Sequence, residues 1–118
     1  MIRVLLVDDI RTVDVAGGRL WANRHTRPIF VKTCRTYDEG LEAIKNDGPW
    51  DVLLLDHDLA DLNIPERTGY TLLCYLEENL DKLPATIEIV SANPVGRQKM
   101  SALIRRLYDQ KEKEDSKG

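Results

Sequence analysis

The sequence predicts an α/β fold built on a parallel sheet, and three observations carry that expectation. Val4-Leu5-Leu6-Val7 and Val52-Leu53-Leu54-Leu55 are apolar runs without alternation, the pattern of strands buried on both faces. Each run leads directly into carboxylates, Asp8-Asp9 in the first case and Asp56-His57-Asp58 in the second. Segments with helical spacing separate and follow these strands, and strands alternating with helices give parallel pairing through right-handed crossovers.

Taken in order, residues 2–7 form the first strand. Residues 10–27 are the least regular stretch: Gly17-Gly18 interrupts a helix, and Trp21, His25 and Pro28 supply no clean period, so the segment reads as a short helix or a long loop. Ile29 to Cys34 is a second strand. Thr36-Tyr37-Asp38-Glu39 has the spacing of a capping box and opens a helix through Leu41 and Ile44, which stops near Asp47-Gly48-Pro49. The third strand is 51–55, followed by a polar loop over 57–67 that contains Pro65. Leu72, Leu73, Leu76 and Leu80 define a helix from about 69 to 80, and their stripe is expected to be core. Thr86 to Val90 is the fourth strand. Asn93 is a good N-cap and Pro94 suits the first helical position, so a last helix follows, with Met100, Leu103, Ile104 and Leu107 as its buried stripe. The domain is expected to span 1–108. Residues 109–118 are Lys/Glu/Asp-rich with nothing to bury and are expected to fray or stay disordered.

The 118 residues suit one domain, and 42% hydrophobic with 31% charged residues is ordinary for a globular protein. A formal net charge of -3 argues against a general DNA or RNA binder. Cys34 and Cys74 do not form a CxxC pair and are expected to be buried free thiols. Met1-Ile2-Arg3 leads straight into a strand with no secretory h-region, and no apolar run approaches membrane-spanning length. A cytoplasmic protein without a membrane partner is therefore expected.

Carboxylates at the C-terminal ends of two central strands lie where open α/β sheets keep their ligand sites. Four of them crowded together repel unless a cation or shared protons intervene. The expectation is a divalent-metal site and, with it, phosphate chemistry.

Val4 to Asp9, Asp51 to Asp56, Thr68-Gly69-Tyr70 and Ile87-Glu88-Ile89-Val90-Ser91-Ala92 resemble the receiver domain of two-component response regulators. The resemblance implies Mg²⁺ at Asp8 and Asp9, a phosphoryl-accepting Asp56 and a phosphate contact from Ser91. A receiver's fifth strand, with its terminal Lys, has no counterpart after Ser91-Ala92-Asn93-Pro94, and His57-Asp58-Leu59 replaces the Pro that ordinarily follows the acceptor. A second set is similar to the shortened receiver-like family named for cyclic-phosphate processing: Asp8-Asp9-Ile10-Arg11, Arg35-Thr36-Tyr37, Leu55 to Leu59, Thr68-Gly69-Tyr70 and Ser91 to Arg97. That likeness implies a shortened, flavodoxin-like three-layer sandwich. Its sheet has four parallel strands in the order 2-1-3-4 and lacks the fifth strand. It also implies action on cyclic phosphate ends of RNA or nucleotides.

Within that frame Asp8, Asp56 and Asp58 are the best metal ligands, with Asp9 binding directly or through water, and their oxygen donors favour Mg²⁺ or Mn²⁺. Asp56 has a second candidate role as covalent nucleophile. The Asp56-x-Asp58 spacing also resembles haloacid-dehalogenase phosphohydrolases, whose second Asp serves as acid/base. His57 is a candidate general acid or base, since imidazoles ordinarily titrate near neutrality, or else it fixes the loop; only a turn at the strand end would bring it round to the carboxylates. His25 reads as a surface residue. Ser91 and Asn93 sit where a phosphate would meet the fourth strand end, beside a helix N-terminus that attracts anions, and Gly96 admits close backbone approach. Arg11 and Arg97 suit bidentate phosphate recognition, or are solvated or paired with an acid. Trp50 is expected to pack, whereas Trp21 could hold a base if the 10–27 segment folds over the site.

The function expected is therefore a Mg²⁺- or Mn²⁺-dependent phosphoesterase acting on cyclic phosphates of nucleotides or RNA ends, its partner being a phosphorylated small molecule or an RNA end. Asp56, His57 and Asp58 would be catalytic, and Ser91, Asn93, Arg97 and Arg11 would hold phosphate. A non-catalytic module that binds a phosphorylated nucleotide or a partner protein is the alternative, and a phosphoacceptor switch at Asp56 is another. The open edge of the fourth strand could pair in a homodimer or be covered by the tail.

Overall fold

The computed structural model describes residues 2–8, 29–57, 59, 68–90 and 94–117. Four strands, β1 (Ile2–Val7), β2 (Ile29–Cys34), β3 (Val52–Leu55) and β4 (Thr86–Ile89), form one sheet in the order β2-β1-β3-β4. All neighbours are parallel, with Val7 in register with Cys34 on one side and Leu55 on the other, and Leu55 in register with Ile89. The two runs without alternation are the central strands, as their sequence requires. Every residue of β3 is buried, and in β1 all but Arg3 are. The edge strands β2 and β4 instead mix buried and exposed positions.

Three helices connect and cover the sheet: α1 (Tyr37–Asp47), α2 (Gly69–Glu78) and α3 (Pro94–Lys117). Leu5, Val7, Leu53 and Leu55 meet Ala43 and Ile44 of α1, Leu72, Leu73 and Leu76 of α2, and Met100, Leu103 and Leu107 of α3 in one core. The opposite face of the sheet, made by Ile2, Val4, Leu6, Val52 and Leu54, is also buried. No described helix contributes to that second cluster, so the third layer of the expected sandwich falls outside the described residues.

Local chemistry sets the helix starts. Thr36 Oγ1 accepts from the Glu39 backbone N–H at 3.2 Å, while Glu39 Oε1 accepts from the Arg35 N–H at 3.0 Å. The glutamate thus reaches one residue further back than a capping box does. Thr68 caps α2, with Thr71 returning the bond. α2 ends at Glu78, earlier than its leucine stripe suggested. Asn79 turns the chain into a short 3₁₀ turn, Leu80–Lys82, which keeps Leu80 buried. Trp50 is packing: it is 2% exposed, its Nε1 donates to Ala43 O at 3.0 Å, and the Arg3 guanidinium lies 4.3 Å from its ring centroid.

The charged C-terminal stretch departs from expectation. α3 continues as helix through Lys117 instead of fraying after Tyr108. Residues 109–116 bury little, but Gln, Lys and Glu favour helix, Lys111 and Asp115 pair at 3.5 Å one turn apart, and Ser116 Oγ donates to Glu112 O. Further back, Tyr108 donates its hydroxyl to Pro84 O at 2.7 Å, fixing α3 to the start of β4. Cys34 is buried and Cys74 partly so, and both are free thiols.

Candidate functional site

Register brings two acidic residues to one level of the sheet. Val7 pairs with Leu55, so Asp8 and Asp56 leave adjacent central strands side by side. The ladder continues through both: Asp56 N–H donates to Val7 O and Asp8 N–H donates to Cys34 O, each at 3.0 Å. Neighbouring strands lie about 4.8 Å apart, which places the two carboxylates within reach of one small ligand. Asp8 is 0% and Asp56 5% exposed, and they are the buried charged residues among those described. Burying adjacent carboxylates is costly unless cations compensate them.

A cation lies beside them: Arg35 Nη1 donates to the Asp8 backbone carbonyl oxygen at 3.2 Å. Arg35 follows β2 directly, so its position at the carboxyl edge comes from the same parallel register. Its signal in the sequence is a cation immediately after an edge strand.

Asp56 and His57 are joined locally. Asp56 Oδ1 accepts from the His57 backbone N–H at 2.8 Å. His57 O in turn accepts from the Gly69 N–H at 2.9 Å, which pins the bend where β3 ends to the first turn of α2. Gly69 is required there, because a methyl group would collide with the Asp56 carbonyl and come within 3.1 Å of Met100 Cε. The bend turns the imidazole toward α3: a Cβ at Gly96 would lie 2.7 Å from His57 Cγ. Close backbone approach at Gly96 therefore accommodates the imidazole.

Arg97, one residue on, is exposed and donates from Nη1 to Ile89 O at 3.3 Å, at the C-terminal end of β4. The fold thus collects Asp8, Asp56, His57 and Arg97 at one edge, with Arg35 added. Asp9, Arg11, Asp58, Ser91 and Asn93 lie outside the described residues, as do Trp21 and His25. Among the described residues no group of three candidate ligand side chains is assembled. The pair that is described nevertheless fits a hard divalent cation, since both donors are buried carboxylates facing one edge. No described helix is long and apolar enough to cross a membrane.

Comparison with known proteins agrees with this architecture. The family model described as "Cyclic-phosphate processing Receiver domain" matches residues 3–106. Among solved structures, the chain is similar to the MaeR response regulator bound to beryllium trifluoride. That likeness has a TM-score of 0.62 and 17% identity, and covers 87% of this chain and 78% of the other. At that identity it speaks to the fold alone. No curated protein matches the chain.

Proposed function

The chain belongs to the cyclic-phosphate processing receiver domain family, and from that premise we propose that it is a Mg²⁺- or Mn²⁺-dependent phosphoesterase opening cyclic phosphates of nucleotides or RNA ends. The single observation that carries this is the buried pair Asp8 and Asp56, in register at the carboxyl edge of the sheet.

Asp8 and Asp56, with Asp9 and Asp58, would hold the divalent ion, and a bound ion supplies Lewis acidity and charge neutralisation at a phosphoryl oxygen. The chain's own groups do the rest. Opening a cyclic diester forms one bond from phosphorus to a water oxygen and breaks one bond to a ribose oxygen. Water must lose a proton and the departing oxygen must gain one. His57, set by the bend after β3 with its ring against Gly96 at the start of α3, is the candidate to move that proton. Arg97 and Arg35, from opposite sides of the edge, suit orientation of the phosphate oxygens, with Ser91, Asn93 and Arg11 as further phosphate contacts.

The fold likeness to a response regulator favours a second reading, in which Asp56 accepts a phosphoryl group as a signalling switch. Against it, the chain passes from β4 into α3, and residues 94–117 contain no further strand to carry a phosphate-pairing lysine. Hydrolysis assays separate these readings from a non-catalytic binding module. The panel is nucleoside 2′,3′- and 3′,5′-cyclic monophosphates, cyclic-phosphate-ended RNA and a generic phosphomonoester, with Mg²⁺ or Mn²⁺, for wild type and Asp56→Asn. Metal-dependent turnover that disappears in the variant supports the phosphoesterase. Metal binding without turnover of any substrate overturns it, and stable phosphorylation of Asp56 by a small phosphodonor would put the switch in its place.

A further inference from the structure

The face of α3 turned away from the core carries one stripe along most of its length. Gln98, Ala102, Arg105, Asp109, Glu112 and Ser116 follow one another at spacings of three and four, and all are exposed. The buried Met100, Leu103 and Leu107 lie on the opposite side of the helix. With a rise of 1.5 Å per residue, the stripe is about 27 Å long. Two hollows interrupt it: one of about 490 Å³ around Ser101, Ala102 and Arg105, and one of about 500 Å³ around Asp109, Glu112 and Ser116. The second hollow lies beyond Tyr108, whose hydroxyl ties the helix to Pro84 O.

The charges on this helix run against its own dipole. Residues 94–108 contain Arg97, Lys99, Arg105 and Arg106 and no acid. Asp109, Glu112, Glu114 and Asp115 crowd the C-terminal turns, among Lys111, Lys113 and Lys117. A lone helix favours the reverse, with acids at its start and cations at its end. Arg105 and Asp109 also stand in the weaker order for a pair one turn apart, and neither forms an ion pair with a described residue. In an antiparallel pair of such helices the conflict disappears. The dipoles then oppose, and the basic half of each helix faces the acidic half of the other. A nucleic acid or an acidic peptide would match only the basic half and be repelled by the other. A second copy matches both.

We propose that the outer face of α3 is a homodimer interface, in which a second copy of this chain lays its α3 antiparallel along the stripe. A two-fold axis between Arg105 and Asp109 sets Arg105 opposite Asp109 of the second copy, Ala102 opposite its Glu112, and Gln98 opposite its Ser116. The short side chains of Ser101 and Ala102 leave a hollow that receives the longer Glu112 of the second copy. Because the stripe lies opposite the buried side of the helix, the two domains end on opposite sides of the helix pair. None of the groups assigned to phosphate chemistry lies on the stripe, so the interface stands apart from the phosphoesterase reading.

The test is sedimentation equilibrium of the full chain over a concentration series, at low and at high salt. A dimer that weakens as salt rises is the expected result. Arg105→Glu and Asp109→Arg should each raise its dissociation constant about tenfold or more, since each sets like charges opposite one another. The two changes together should restore it to within about threefold of wild type, because opposite charges meet again across the axis. Lys99→Glu reverses an equally exposed cation of α3 that lies off the stripe, and should leave the constant as it was. Circular dichroism confirms that each variant is folded, and all three positions are exposed. A monomer at every concentration overturns the proposal. So does a dimer indifferent to both reversals, the result expected if the open edge of β4 paired instead. An equal loss from Lys99→Glu, or a double variant no better than either single one, overturns it as well.

Discussion

The imidazole of His57 lies against the backbone of Gly96, so close that an alanine Cβ there would stand 2.7 Å from Cγ and 2.8 Å from Cδ2. The bend after β3 and the first turn of α3 are thus fitted to one another through a single missing methyl group. Gly96→Ala should displace the ring and reduce turnover, while the better helix propensity of alanine offsets part of the steric cost to stability. In a His57→Ala background the same change should become stabilising, by up to about 1 kcal/mol. Urea midpoints of the four proteins check this, and additive effects would show that the contact carries no energy.

Gly69 faces a less forgiving neighbour. The obstacle to a side chain is the backbone carbonyl of Asp56, held in the sheet and unable to swing away as a ring can. Gly69→Ala should therefore destabilise by about 3 kcal/mol, the upper end of ordinary overpacking costs. The measurement is chemical denaturation, and a change below 1 kcal/mol would mean that the strand end shifts freely.

Asp8 and Asp56 oppose one another when no cation lies between them. Removing one charge should relieve that repulsion, so Asp56→Asn should melt at a higher temperature than wild type in EDTA. Mg²⁺ should raise the wild-type stability, by about 2.7 kcal/mol at a hundredfold excess over Kd, and should do much less for the variant. Thermal shifts with and without Mg²⁺ read both effects. An identical response of the two proteins would rule out a metal at this pair.

Burial pushes the Tyr108 phenol up to about 12, and the neutral hydroxyl donates to Pro84 O. In the unfolded chain a tyrosine ionises near pH 10. The folded state therefore holds the proton where the unfolded state releases it. Stability from this residue is complete below about pH 10 and is lost as pH rises toward 12. Tyr108→Phe should cost about 1 kcal/mol at neutral pH through the lost hydrogen bond and should flatten the alkaline loss. Denaturation at pH 8 and pH 11 tests the sign.

The sequence by itself determined the strands, their type and the edge at which Asp8 and Asp56 lie. Unbroken runs such as Val4 to Val7 and Val52 to Leu55 can satisfy their apolar side chains only at the centre of a covered sheet, and a carboxylate that ends such a run has one edge to occupy. Thr36 and Pro94 marked helix starts because capping depends on residues a few positions apart. Asp8 and Asp56 were legible for the same local reason. What only the tertiary structure decided concerns meetings between distant segments. Arg35 reaches the Asp8 carbonyl from the neighbouring strand, and Gly69 fixes the bend that turns His57 toward Gly96. Trp50 spends its indole on Ala43 and Arg3, and α3 holds its line past the last buried leucine, Leu107, to Lys117. None of these is a property of spacing, because each depends on register and packing angles between separate elements, and those are set only when the whole core closes.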